Sequence, residues 1–184
     1  MRTSGYRADV GPSRRISLAA LVVGALAAVS VSAAFGHKAI GDCAGAQLAG
    51  RFAVIPGSPA AGSISYKLTL KNTSATPCTV TGLPLGQLLG KERRKLSTHV
   101  RAAHPGALTA VLVTLLPGDT TFATARFSPD VPGKGEQVRG QCEPKAYWFN
   151  VRAPGGGTTT VKMLPPTPVC EHGTLFFSAY GRKR

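Results

Sequence analysis

From residue 43 onward, apolar and polar residues alternate in short runs, and each run stops at a cluster of Gly, Pro, Asn or Asp. In Ser63–Leu70 the side chains of Ile64, Tyr66, Leu68 and Leu70 fall on one face, a period of two that marks a half-buried strand. Phe52–Ile55 stops at Pro56-Gly57-Ser58-Pro59, and Cys78–Thr81 stops at Gly82-Leu83-Pro84. Leu85–Leu89 predicts another short strand, followed by a charged hairpin tip at Gly90-Lys91-Glu92-Arg93-Arg94-Lys95. Ala110–Leu116 is strand-like and ends at Pro117-Gly118-Asp119. Thr120–Phe127 alternates again. Ala146–Val151 is the most aromatic run, Pro154–Gly157 turns into Thr158–Met163, and Thr174–Phe177 closes the series. Residues 128–141 are charged and rich in Pro and Gly, which predicts a long surface loop. None of these runs has a helical period. Many short strands between frequent turns predict an all-β sandwich or barrel.

The first 36 residues have a different pattern. A polar stretch ends in Ser13-Arg14-Arg15, Ile16–Gly36 carries no charge, and small residues follow the apolar centre Leu18–Val29. Charged, apolar and small-residue regions in that order predict a secretory signal peptide over 1–36, helical through its apolar part. The alternative is an uncleaved single-pass N-terminal anchor, for which the uncharged run is just long enough. Ser13-Arg14-Arg15-Ile16-Ser17-Leu18 partly resembles the twin-arginine export motif. Asp42 directly before Cys43 argues against a lipoprotein signal. Residues 37–42 are then a linker, 43–181 the domain and 182–184 a basic tail, so the expected location is secreted or extracytoplasmic, at the cell envelope.

Composition adds a partner class. Of 184 residues, 43% are hydrophobic and 16% charged, with 22 Lys+Arg against 8 Asp+Glu. The leader holds Arg2, Arg7, Arg14, Arg15 and Asp9, so about 18 basic and 7 acidic residues remain beyond it. A surface this cationic attracts polyanions. The expected partner is an anionic envelope polymer or lipid headgroups, with no specific nucleic-acid motif and a monomeric state.

All four cysteines, Cys43, Cys78, Cys142 and Cys170, lie beyond the leader, and an even count in an exported chain predicts two disulfides. Three pairings are open to four cysteines. An antiparallel pair of 46–55 with 62–72 brings Cys43 towards Cys78. A pair of 144–152 with 157–163 brings Cys142 towards Cys170. There is no C-x-x-C, and the spacing is too wide for an ordinary zinc site.

Candidate chemistry is sparse. No G-x-S-x-G elbow is present. The acids beyond the leader, Asp42, Glu92, Asp119, Asp130, Glu136, Glu143 and Glu171, fall in predicted turns or strand edges, so no catalytic residue, cofactor or metal is assigned. His99, His104 and His172 are the basis of the alternative reading, a secreted enzyme or metal-binding protein using surface histidines. His37 sits beside the cleavage region. Lys91, Arg93, Arg94 and Lys95 of the charged tip, with Arg101, are the candidate anion-binding set. Tyr147 and Phe149 are expected on one face of their strand and Trp148 on the other.

Several pieces resemble a known family. They are Cys43 with Leu48, Ala61-Gly62-Ser63 leading into Tyr66-Lys67-Leu68-Thr69-Leu70-Lys71-Asn72-Thr73-Ser74, and Pro77-Cys78-Thr79-Val80-Thr81-Gly82-Leu83-Pro84. Leu116-Pro117-Gly118, Cys142 and Val169-Cys170 follow. The pattern resembles the actinobacterial exported domain of unknown function 4232 over about residues 43–180. That resemblance implies an immunoglobulin-like β-sandwich behind a signal peptide or lipoprotein leader, and it implies no activity. The charged tip and the strong basic balance depart from it. The combined expectation is an exported, non-catalytic, all-β module with two disulfides.

Overall fold

The computed structural model describes residues 39–106 and 111–182. The signal and cleavage assignments, His37 and the last two residues of the basic tail lie outside them. Among the described residues ten strands form: β1 (Leu48–Val54), β2 (Ile64–Asn72), β3 (Cys78–Val80), β4 (Gly86–Leu89), β5 (His99–Ala102), β6 (Val113–Leu115), β7 (Thr120–Phe127), β8 (Lys145–Arg152), β9 (Thr158–Pro168) and β10 (Thr174–Phe177). Eight of them hydrogen-bond in the order β4-β8-β9-β1-β2-β7-β10-β5, and β3 pairs separately with β6. The expected all-β sandwich with two disulfides is what the structure shows.

Alternation explains the strands, and one aromatic cluster explains the sandwich. Tyr66, Leu68 and Leu70 of β2 and Ala123 and Ala125 of β7 are fully buried, while the residues between them face outward. Five strand steps separate β8 from β10 in the sheet order, about 24 Å in a flat sheet. Yet Phe149 of β8 and Phe177 of β10 stack with ring centroids 5.6 Å apart. The sheet must therefore fold over onto itself. Phe52 of β1 sits between the layers, 5.3 Å from Tyr66, 5.6 Å from Phe149 and 5.8 Å from Phe177. These large buried rings are the main apolar ballast of the fold.

The two end strands of the order, β4 and β5, are consecutive in the chain. The segment joining them lies along β4: Leu96 N–H donates to Leu88 O (3.0 Å) and Leu88 N–H to Thr98 Oγ1 (2.9 Å). It covers an edge that would otherwise expose unpaired backbone groups. At the other end of the domain, Asn72 closes β2. Its Nδ2 donates to Thr76 O (2.8 Å) and Leu115 O (3.0 Å), and its Oδ1 accepts from Ser74 N–H (3.0 Å) and Ser74 Oγ (2.7 Å). The turn at Asn72-Thr73-Ser74 is thereby tied to β6.

Both expected disulfides are present. Cys43 joins Cys78 across 35 residues, and Cys142 joins Cys170 across 28. The strand pairing behind the expectation is also present, with Leu48 opposite Asn72 and Lys145 opposite Pro168. In the chain-entropy account each loop stabilises the fold by about 3.5–4 kcal/mol before any strain.

Two local expectations need correction. In the described part of the run from Ala110, only Val113–Leu115 is in a strand, and Val111 and Leu112 are exposed. In β8 a bulge between Ala146 and Trp148 resets the alternation, so Ala146 and Phe149, three residues apart, are both buried and Tyr147 is only half-buried. The basic tail is pinned at its start: Gly181 bridges Phe122, and Arg182 lies 3.7 Å from the Asp119 carboxylate.

Candidate functional site

The charged tip is a tight, ordered turn. Gly90 N–H donates to Arg94 O (2.8 Å), Arg93 N–H donates to Gly90 O (3.0 Å), and Leu89 bridges Lys95. Arg93 takes a φ of 61°, the left-handed region that residues other than Gly visit sparingly. Its guanidinium lies 4.1 Å from the centroid of the Trp148 ring, and Lys162 approaches the same ring at 5.5 Å. These are cation–π contacts on a half-buried indole. Lys91, Arg94 and Lys95 stand exposed beside them. The turn thus gathers four of the five candidate anion-binding residues. Arg101 is elsewhere, lining a cleft with His99, Lys134 and His172.

The charge distribution over the strands is one-sided. The ten strands carry Arg51, Lys67, Lys71, Arg101, Arg126, Lys145, Arg152 and Lys162, and none contains an Asp or Glu. Register places Trp148, Lys162, Arg51, Thr69 and Phe122 in one row across β8, β9, β1, β2 and β7. Lys67 adds a cation 4.6 Å over Phe122. This row begins under the tip, so tip and sheet form one cationic surface. The acids sit in turns and loops, where the alternation pattern placed them.

Two of those acids meet a histidine beside the second disulfide. Glu136, Glu143 and His172 bring ligand-type atoms within 4.8 Å of one another. Glu136 is the centre: its side chain is 3% exposed, and it accepts from Gly133 N–H (2.6 Å), Glu171 N–H (2.9 Å) and His172 N–H. Burial pushes the Glu136 carboxyl up, but these backbone donors and the nearby His172 ring hold it below the ordinary carboxylate range. Glu143 shifts the other way: burial and the Glu136 charge raise it.

His172 bonds Lys134 O through Nε2 (3.0 Å), and its Nδ1 lies 3.7 Å from Glu136. His99 Nδ1 pairs with the His172 carbonyl (2.8 Å). Glu171 and His172 are themselves left-handed, and Gly173 follows at φ 75° with Ser97 O 1.9 Å from where a Cβ would stand. Both Glu136 oxygens are taken by the donors of this turn. The cluster is therefore a latch that fastens the 128–141 loop to the turn after Cys170.

His99, His104 and His172 do not converge as a metal-ligand set among the described residues; His104 lines a different groove. The convergence of Glu136, Glu143 and His172 was missed in the sequence, although a signal existed. Glu143 follows Cys142 and His172 lies two residues after Cys170, so the expected disulfide already makes them neighbours. The buried side-chain polar atoms all have hydrogen-bond partners among the described residues.

A disulfide-clamped β-sandwich with an acid-free, cationic sheet surface is the class these observations define, and two disulfides fit a protein that folds where thiols oxidise. Among the described residues no helix is long and apolar enough to cross a membrane. The profile of the family described as "Domain of unknown function (DUF4232)" matches residues 43–179, and the chain belongs to that family. No curated protein and no solved structure matches the chain.

Proposed function

We propose that this protein is an exported, non-catalytic binding module that acts outside the cytoplasm and holds a linear anionic polymer on its cationic surface. The observation that supports this most is the absence of any acid from the ten strands, together with the Arg93–Trp148–Lys162 stack that joins the tip to the sheet. Polymer charges would follow the row from Lys91, Arg93, Arg94 and Lys95 through Lys162 and Arg51. The ring faces of Trp148 and Phe122 already carry protein cations, so they offer no stacking platform for nucleobases. Recognition would then rest on charge and be tuned by salt.

Inorganic polyphosphate immobilised on a column tests the reading. The protein is expected to bind and to elute at a defined salt concentration. Arg93→Ala/Arg94→Ala is expected to elute earlier than Lys134→Ala/Arg139→Ala, which removes the same charge from the 128–141 loop. Equal elution of the two double variants would show attraction by net charge alone and would remove the tip from the proposed surface.

A further inference from the structure

A second polar site lies away from the tip, over β2, β7, β10 and the chain that follows β5. It is a groove of about 530 Å³ whose lining includes Ser63, Ser65, Thr124, Arg126, Phe176 and His104, within the usual range for small-molecule sites. Its floor follows from register. Ser65 is opposite Arg126, Arg126 opposite Phe176, and Phe176 opposite Arg101. Leu175 and Phe177 are fully buried, so alternation turns Phe176 outward, and it is 36% exposed. A large aromatic ring on the outer face of a sheet, flanked on both neighbouring strands by arginine, has no role in the core.

The groove's polar groups divide into those already engaged and those that are not. The Ser128 hydroxyl donates to Val131 O (3.0 Å), and Ser178 Oγ accepts from Thr124 N–H (2.9 Å). The hydroxyls of Ser63, Ser65 and Thr124 make no hydrogen bond among the described residues. The ion pairs among those residues involve neither Arg126 nor Arg101. One guanidinium group, three hydroxyls and one ring face are therefore directed at solvent around this depression, and the second guanidinium, of Arg101, lies across Phe176 in the adjoining cleft, which shares Glu171 with the groove.

We propose that this groove binds a small phosphorylated sugar. The phosphate lies between Arg126 and Arg101, the apolar C–H face of the sugar ring covers Phe176, and the sugar hydroxyls pair with Ser63, Ser65 and Thr124. The two arginines stand two strands apart, about 10 Å at their backbones, and their long side chains can close on one dianion. A guanidinium matches a tetrahedral phosphate through paired N–H donors, and two of them favour a dianion over a single carboxylate. Glu171 also lines the groove. It accepts hydroxyl donors and repels a continuing chain of negative charge, so the groove suits a single phosphate ester and not the polymer proposed for the tip. The two sites are independent, and either can stand without the other.

Titration calorimetry with glucose-6-phosphate, glucose and inorganic phosphate tests the assignment, with amide chemical shifts as the site readout. Glucose-6-phosphate is expected to bind saturably, at least about tenfold more tightly than glucose or phosphate alone, and to shift the amides of Ser65, Arg126 and Phe176. Arg126→Ala, at an exposed strand position, is expected to lose at least about tenfold in affinity, and Phe176→Ala to lose the preference for the sugar phosphate over free phosphate. Arg93→Ala/Arg94→Ala is expected to leave this binding unchanged. No saturation up to about 10 mM, equal affinity for phosphate alone, wild-type affinity in a folded Arg126→Ala, or loss only in the tip variant would each overturn the proposal.

Discussion

Phe52 makes more ring contacts than any other described aromatic residue, and its neighbours belong to both layers. Truncating it removes a fully buried ring that the surrounding strands cannot collapse to fill. Phe52→Ala is expected to cost about 3–5 kcal/mol, read from denaturant unfolding. Gly173 is constrained differently: its left-handed backbone and the nearby Ser97 carbonyl leave no room for a Cβ. Gly173→Ala is expected to destabilise by more than about 1 kcal/mol. At Glu136, the folded carboxyl is held below its ordinary value, so the group contributes stability above the unfolded carboxylate pKa, about 4.3, and that contribution is lost as pH falls through the folded pKa. Glu143, raised in the folded state, works in the opposite sense: its contribution is fullest below the unfolded pKa and fades as pH rises through the folded one. Glu136→Gln is therefore expected to lower stability at neutral pH and to flatten the acid limb of a stability–pH curve. An acid limb identical to that of the wild type would show that the latch carries no charge dependence.

At the scale of elements, the alternation of Ser63–Leu70 and Thr120–Phe127 made β2 and β7 legible directly, because each buries one face and a period of two has no other reading. The aromatic run 146–151 was legible as a strand but not in its phase, since a bulge adds one residue without any distinctive residue type to announce it. Ala110–Leu116 was over-read for a related reason. An apolar run shows the capacity to be buried, while the partner strand decides whether it is. The disulfide pairs were legible because strand register sets which chain ends meet. Cys142→Ala/Cys170→Ala is expected to loosen the latch while sparing the paired sheet. In hydrogen exchange, residues 128–144 should lose protection while β1 and β2 keep theirs. Equal loss throughout would mean that the second disulfide holds the whole sandwich and not the loop.

At the scale of the molecule, the basic balance was visible in composition, but its layout was not. Composition shows an excess of Lys and Arg; only the strand assignments reveal that, among the described residues, every acid is excluded from the strands. Concentrating like charges on one surface stores repulsion that counterions relieve. The thermal midpoint is therefore expected to rise between low and physiological ionic strength, in a scan of the purified domain. A midpoint that falls with added salt would indicate net attraction among the surface charges. The anion candidates divide at this scale as well. Lys91, Arg93, Arg94 and Lys95 lie together in one turn, as their adjacency in the chain predicts. Arg101 was grouped with them by proximity in the chain, yet the fold carries it to β5, beside Phe176.

Strand positions, the all-β class and the cysteine pairs follow from periodicity, turn residues and register, all of which act over a few residues or between adjacent strands. The latch of Glu136, Glu143 and His172, the Arg93–Trp148 stack and the groove around Phe176 join segments tens of residues apart. They depend on which strands become neighbours when the sheet folds over its aromatic core, and local residue preferences carry no information about that choice.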